Sequence, residues 1–487
     1  KQAYPIKKIS YQEAMELSHF GAKVLYPPTV QPVLDLNIPI HIKNTMAPEA
    51  AGTVISNDNS HTTSPVKGIS NINNIALLTL QGSGMIGIPG FSKRLFETLS
   101  QEKINIVLIT QASSEHSICL GINEADSANA KVAIDTHFEN EIALHKIDPI
   151  IIEKKLSIIA IVGDNMKNHQ GISGKMFSAL GRNNINIRAI AQGASEKNIS
   201  AVIAKSDVKK ALNTLHEQFF ETQTKQLNVF ITGVGNVGER LVEQIKQQKK
   251  YLKENLKINL RVIGLSNSRT MIFDEDGINL KSWKSDLEKG EMATLDGFFK
   301  KTKTLNLRNS IFVDVTANKD VSELYAQYLR ESIGVVACNK IACSSNYENY
   351  SLLKRLSLKY NAPYLFETNV GAGLPIIDAL NNLIASGDKI TSIQAVLSGS
   401  LNFVFNNFND KTKFYDVVKQ AAAEGYTEPD PRIDLSGVDV ARKILILARE
   451  SGVDMNLEDI SNTPFLSESG LKSDTVDDFY STLIDDE

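Results

Sequence analysis

Ile109-Thr110-Gln111-Ala112-Ser113-Ser114-Glu115 returns 81 residues later as Ile190-Ala191-Gln192-Gly193-Ala194-Ser195-Glu196. The match extends upstream at the same offset. Gly82-Ser83-Gly84-Met85 with Gly90 pairs with Gly163-Asp164-Asn165-Met166 with Gly171, and Phe96, Leu99 and Asn105 pair with Phe177, Leu180 and Asn186. From about 66 to 225 each copy reads strand, Gly-rich turn, helix, strand, strand, helix. The strands are Ile75–Leu80, Ile104–Ile109 and Ser117–Ile122 in the first copy, then Ile158–Val162, Ile185–Ala191 and Ile199–Ala204 in the second. Duplication of a short α/β unit predicts pseudo-symmetric packing with equivalent polar loops facing one another. Such a pair suits a sensor of a small molecule and is not itself a catalyst.

Upstream of the repeat, residues 10–26 read as a helix entered at Ser10 and broken by Pro27-Pro28. A short strand follows at Ile38–Ile42, and the polar run Asn57–Pro65 marks a boundary. Downstream, Leu227–Thr232, Leu260–Leu265, Ser310–Val315, Gly334–Ala337 and Tyr364–Phe366 are apolar, β-rich runs separated by crossover-length helices. That alternation predicts a parallel doubly wound sheet. After Glu367 the texture shifts to Gly-rich turns and a long apolar helix, expected as a separate catalytic subdomain. The acidic stretch Ser473–Glu487 reads as a cut end rather than a core element.

Composition narrows the class. At 487 residues the chain exceeds a single hydrophobic core. Hydrophobic residues make up 42% and charged residues 22%, as in ordinary globular protein. A net charge of −4 gives no electrostatic reason for nucleic acid or a membrane surface as partner. Cys119, Cys338 and Cys343 lack metal spacing and fit a reducing compartment, so a cytoplasmic address is expected. The histidines are scattered, and no transition-metal site is assigned. Lys1 is not an initiator Met, and the chain is expected to begin inside a longer protein.

Chemistry concentrates in the second half. Gly233-Val234-Gly235-Asn236-Val237-Gly238 follows an apolar strand and opens a helix, the context in which this spacing cradles a pyrophosphate. The next strand ends Ser266-Asn267-Ser268-Arg269, with the first carboxylate delayed to Asp274. A carboxylate at the strand end would repel a 2′-phosphate whereas Arg269 would bind one, which favours NADP over NAD. Asp439 and Lys443 stand one turn apart on an apolar helix beginning near Ser436, and are expected to be a buried, functional pair. The bland alternative is a surface ion pair. Asn339-Lys340 ends a parallel strand, where doubly wound sheets place ligands. Glu367-Thr368-Asn369-Val370-Gly371-Ala372-Gly373-Leu374-Pro375 is a turn whose carbonyls suit a hard monovalent cation, or else a tight structural loop.

Together these segments resemble the bifunctional aspartate kinase–homoserine dehydrogenases. Tyr11–Leu17 with Phe20–Leu25 looks like the close of the kinase domain, with Tyr26 where the family commonly has His. The doubled Gln-x-x-Ser-Glu segments resemble paired ACT units. The glycine finger, Asn339-Lys340, Glu367–Pro375, Ser398–Asn402 and Gly425–Lys443 look like homoserine dehydrogenase. The resemblance implies an α/β multidomain chain. Its parts would be a kinase tail (1–65), tandem ACT-like α+β units (66–225), a Rossmann-type NADP-binding domain (226–365) and an α+β catalytic subdomain (366–487).

It also implies the reaction, interconversion of aspartate 4-semialdehyde and homoserine with NAD(P)H. Lys443 would be the general acid and Lys340 its assistant. Glu428 and Asp439 would hold the substrate ammonium, with Asp434 as a further substrate contact. Thr316 and Lys340 join the finger and Arg269 as cofactor contacts. Glu367, Val370, Ala372 and Leu374 would bind sodium, and Gln111 and Gln192 would bind threonine. A homo-oligomer is expected. The family's Lys-Phe-Gly-Gly phosphate-binding segment does not occur here, so ATP and Mg chemistry would belong to the full-length protein. A regulatory fragment that binds threonine without turnover, and a Rossmann oxidoreductase acting on another hydroxy amino acid, are the competing readings.

Overall fold

Fourteen consecutive residues, Gly68–Gln81, form the longest strand, because Ile75, Leu77, Leu78 and Leu80 supply apolar side chains to both faces of one sheet. The computed structural model describes residues 5–21, 25–57, 65–86, 90–111, 116–164, 166, 169–193, 197–220, 224–427 and 430–485. Ala112–Glu115 and Ala194–Glu196 of the repeated motif, and Glu428, lie outside these residues. The chain divides into two units, Lys1–Lys225 with Asn306–Arg308, and Gln226–Leu305 with Asn309–Glu487.

In the first unit, β1 (Lys8–Ile9), β2 (Ile40–Ile42) and β3 (Thr53–Ile55) make a small sheet of order β1-β3-β2. Strands β4 (Gly68–Gln81), β5 (Ile106–Gln111), β6 (Ser117–Asn123), β7 (Ile151–Val162), β8 (Ile187–Ala191) and β9 (Asn198–Ala204) make a second sheet of order β5-β6-β4-β7-β9-β8. That order reads the same from either edge once the two copies are exchanged, so the duplication is a pseudo-twofold between β4 and β7. Even the irregularities repeat. Asn74 (φ 59°) and its counterpart Lys155 (φ 58°) are both left-handed, beside register shifts in the β4–β7 ladder.

Helices Phe91–Gln101 and Ser127–His137 bury Leu95, Leu99 and Ile134 against the first copy. Helices Ile172–Arg182 and Val208–Phe220 do the same with Met176, Leu180 and Leu215 in the second. The opposite face packs Leu77, Ile158 and Val202 with Phe20 and Leu17 of the N-terminal helix. That helix was expected over 10–26 but spans Tyr11–His19. Its start is a Ser10–Glu13 capping box, and Gly21 at φ 101° turns the chain out of it well before the prolines.

The second unit is built on β10 (Lys225–Thr232), β11 (Ile258–Ser266), β12 (Thr270–Phe273), β13 (Glu291–Met292), β14 (Ser310–Asp314), β15 (Gly334–Ala337) and β16 (Tyr364–Leu365). Their order is β13-β12-β11-β10-β14-β15-β16. Strands β10, β14, β15 and β16 run parallel, as their unbroken apolar composition predicts. The other edge departs from the expected parallel sheet, since β12 and β13 are antiparallel. The cause is local: Asn267 Oδ1 accepts from the N–H groups of Arg269 and Thr270, folding the chain back immediately after β11.

Residues 366–487 were expected to be α+β, but their described residues form helices, turns and irregular segments without a strand. Thr391–Leu397 has strand-like residues, yet among the described residues no strand pairs with it, and composition cannot supply a ladder partner. The acidic tail departs from the expectation that it is not a core element. Helix Val476–Asp485 inserts Phe479 and Leu483 into a core with Val404, Val418 and Leu435. Asp477 and Asp478 of the same helix are exposed, so composition hid an amphipathic period. No helix among the described residues is long and apolar enough to cross a membrane.

Candidate active site

The parallel strands deliver their C-terminal ends to one edge, and the functional side chains stand there. After Thr232, Gly233 (φ 94°) makes the turn, and its N–H is held by the Ser266 carbonyl at 2.9 Å. Helix Asn236–Glu254 starts immediately, with Gly235 as its N-cap. Each glycine has a separate physical reason. Gly233 is left-handed and backs onto Val315 and the Thr316 methyl; a Cβ on Gly235 would meet nothing within 4 Å; a Cβ on Gly238 would collide with the Gly233 carbonyl oxygen. Asn236 begins the helix and Val237 is exposed beside the open space above Gly235, while Val234 packs into the sheet core.

Two variants separate these roles. Gly238→Ala should destabilise the apo fold by about 1–3 kcal/mol through overpacking. Gly235→Ala should leave apo stability unchanged and weaken dinucleotide binding. Denaturant titration and cofactor titration of both variants check this, and equal stability losses would contradict it.

Asp314 closes β14 and Asn339-Lys340 follows β15. Asp314 is fully buried; its carboxylate accepts from Tyr325 Oη (2.6 Å), Asn339 Nδ2 (3.1 Å) and the Thr316 N–H (2.7 Å). Burial pushes this carboxyl above its ordinary range, while those donors pull it back. Asn339 Oδ1 accepts the N–H of Ile341, and Lys340 then points its ammonium at Asp439 Oδ1, 2.8 Å away.

Asp439 and Lys443 lie on helix Val438–Glu450, entered through left-handed Gly437. Lys443 Nζ is 2.8 Å from Asp439 Oδ2 and donates to the Leu397 carbonyl at 2.7 Å. One carboxylate therefore bridges two ammonium groups that are 99 and 4 residues away in sequence. The pair is half-buried rather than buried: Lys443 is 17% and Asp439 30% exposed, because the first turn of the helix reaches solvent at Val438. Burial alone would raise the Asp439 carboxyl, but hydrogen bonds and charge from Lys340 and Lys443 outweigh it and hold it below the usual carboxylate range. The cluster carries net positive charge and suits an oxygen that becomes negative. Asp439 was expected to hold a substrate ammonium; here each of its oxygens takes a lysine.

The far end of the same helix is anchored. The Arg449 guanidinium donates to the carbonyls of Cys343 (2.6 Å), Ser345 (2.6 Å) and Met455 (3.1 Å). Glu450 takes the Tyr350 hydroxyl and the Lys354 ammonium.

Asp434 accepts from Ser400 Oγ (2.7 Å), which also bonds Ser398. The Glu367 carboxylate accepts the N–H groups of Ile377 and Asp378, capping helix Ile376–Ala385. Around it Val370 is buried, Ala372 is left-handed (φ 51°) and Leu374 is exposed. Arg269 is exposed on the hairpin turn after β11. In the other unit Gln111 ends β5, and Gln192 follows β8 with its Oε1 bonded by Ser173 Oγ (3.0 Å). Sequence reasoning missed Asp314, the Leu397 carbonyl and the Arg449 anchor. Asp314 had one signal, a lone carboxylate in an apolar strand, whereas a backbone carbonyl leaves none.

Sequence profiles agree with this geometry. The homoserine dehydrogenase profile matches residues 375–479, the homoserine dehydrogenase NAD-binding domain profile 233–367, and the ACT domain profile 78–138 and 159–219. The bifunctional aspartokinase/homoserine dehydrogenase of Haemophilus influenzae is 43% identical over 477 residues, 98% of this chain and 58% of its own. Chloroplastic enzyme 1 of Zea mays is 41% identical over 485 residues, 98% of this chain and 52% of its own. This chain is a homologue of the bifunctional aspartokinase/homoserine dehydrogenases. It spans just over half the length of these curated relatives. Among solved structures, the aspartate kinase of Clostridium acetobutylicum matches 44% of this chain and 49% of its own, at 30% identity and TM-score 0.40. The bridged lysines connect the two dehydrogenase segments, with Lys340 in the NAD-binding domain and Asp439 and Lys443 in the homoserine dehydrogenase domain.

Proposed function

We propose that this chain interconverts aspartate 4-semialdehyde and homoserine with a nicotinamide dinucleotide, under the control of its ACT domains. The observation that carries the reading is the Lys340–Asp439–Lys443 bridge at the C-terminal edge of the dinucleotide-type sheet. The open space above Gly235 and the helix N-terminus behind it fit a pyrophosphate. When bound, the nicotinamide supplies the hydride to the aldehyde carbon or takes it back.

Lys443 then handles the oxygen. An ammonium has three N–H bonds. Two are directed to Asp439 and the Leu397 carbonyl, which leaves the third for the substrate oxygen. As negative charge develops on that oxygen, Lys443 delivers a proton to it and becomes a neutral amine, and in the reverse direction that amine takes the proton from the hydroxyl. Lys340 adds a second positive charge, and Asp439 keeps the two lysines together against their mutual repulsion. Asp434 and Glu428 are assigned to the substrate ammonium, an acceptor role suited to carboxylates.

Arg269 with Ser266 and Ser268 supports NADP over NAD, since no carboxylate stands at the end of β11. The carbonyls of Glu367, Val370, Ala372 and Leu374 form an all-oxygen set suited to a hard cation such as sodium, which would brace the loop. Aspartate phosphorylation, with ATP and Mg, is assigned to the full-length protein. Homoserine oxidation followed at the nicotinamide absorbance, with NADP and NAD in parallel, tests the proposal. No turnover at saturating cofactor would favour a threonine-binding regulatory unit instead.

Threonine is the proposed effector, with Gln111 and Gln192 as pseudo-equivalent contacts. Replacing either by Ala should cost about 1 kcal/mol of threonine affinity, roughly fivefold in Kd. Calorimetric titration measures it, and unchanged affinity in both variants would remove the assignment.

A further inference from the structure

We propose that Asp314 is the positioning residue of the dehydrogenase site, its carboxyl group setting the two turns that carry Thr316 and Lys340. The inference rests on the dehydrogenase reading only for what those turns do. Its geometry stands apart from that reading.

Asp314 ends the strand next to the glycine turn and is fully buried. Its two oxygens receive three donors, the Tyr325 hydroxyl, the Asn339 amide and the Thr316 N–H. All three are neutral, and among the described residues no cation pairs with it. A carboxylate buried without a cation is costly, and an apolar side chain would fill the same space more favourably. The donors show what the group does. The Thr316 N–H closes the turn after β14, and the Thr316 methyl packs on the Gly233 turn. The Asn339 amide is shared between Asp314 and the Asn318 carbonyl, which ties the turn after β15 to the turn after β14. Asn339 is itself 2% exposed, and its carbonyl accepts from Asn369 Nδ2 at 3.4 Å, which extends the tie to the loop after β16. Lys340 is the residue that follows Asn339. Its aim at Asp439 is therefore fixed from behind by Asp314, with the dinucleotide turn held in the same register.

Asp314→Asn tests this in the full chain. The amide preserves shape but replaces one acceptor oxygen by a donor, so that either the Thr316 N–H loses its acceptor at Oδ1 or Tyr325 and Asn339 lose theirs at Oδ2. Two readouts are taken, amine-reactive labelling of Lys340 relative to Lys443, read by mass spectrometry, and steady-state kinetics on homoserine. The expected result is faster labelling of Lys340 alone. Alongside it kcat should fall by about 10- to 100-fold, with homoserine KM and cofactor Kd little changed. Tyr325→Phe is the control, because it removes a donor that touches neither turn. Should the two variants lose thermal stability alike and leave Lys340 labelling unmoved, Asp314 merely satisfies the core and the proposal is overturned. Asn339→Ala cuts the same tie from the other end and must release Lys340 equally, which keeps the test decisive if Asp314→Asn does not fold. If the parent chain fails to oxidise homoserine, the dehydrogenase reading falls while the labelling result still judges Asp314.

Discussion

Replacing Lys443 by Ala is expected to lower kcat for homoserine oxidation by about 10²–10⁴-fold, the usual span for losing a positioned general acid–base. Cofactor affinity should be unchanged. The reasoning is geometric: Lys443 touches Asp439 and the Leu397 carbonyl and takes no part in the glycine turn. Its loss leaves Asp439 paired with Lys340 at 2.8 Å, so no unpaired carboxylate is created and the fold is retained. Steady-state kinetics and a separate cofactor titration distinguish the outcomes. Parallel loss of rate and cofactor affinity would assign Lys443 to architecture rather than chemistry.

Phe479→Ala should destabilise the second unit by about 3–5 kcal/mol, the cost of a large apolar deletion in a packed core. Phe479 is fully buried among Val404, Val418 and Leu435, and it belongs to a helix that composition alone marks as acidic surface. Denaturant unfolding of the variant and parent measures the difference. A change below about 1 kcal/mol would show that the helix is only loosely docked.

The sequence was most legible where one physical requirement dictates residue type. The glycine finger is such a case. Left-handed backbone at Gly233 and close helix packing at Gly238 each demand glycine, whereas Gly235 faces open space that the proposed pyrophosphate would fill. The duplication was legible because identical units must bury identical faces, and the palindromic strand order followed from it. The i,i+4 spacing of Asp439 and Lys443 likewise predicted their contact. Long-range partners were not legible. Lys340 reaches Asp439 across 99 residues, and the carbonyl that receives Lys443 belongs to a leucine whose side chain carries no hint of it. The antiparallel edge was missed because a single Asn267 side chain, not strand composition, reverses the chain. The acidic tail was misread because charge was weighed above period.

The three carbonyls gathered by Arg449 have a consequence for motion. The helix that presents Asp439 and Lys443 is pinned, a few turns on, to the segment directly following Lys340. The backbone that follows Lys340 and the helix carrying Asp439 and Lys443 therefore share one anchor, so that separating these two segments requires the Arg449 bonds to break first.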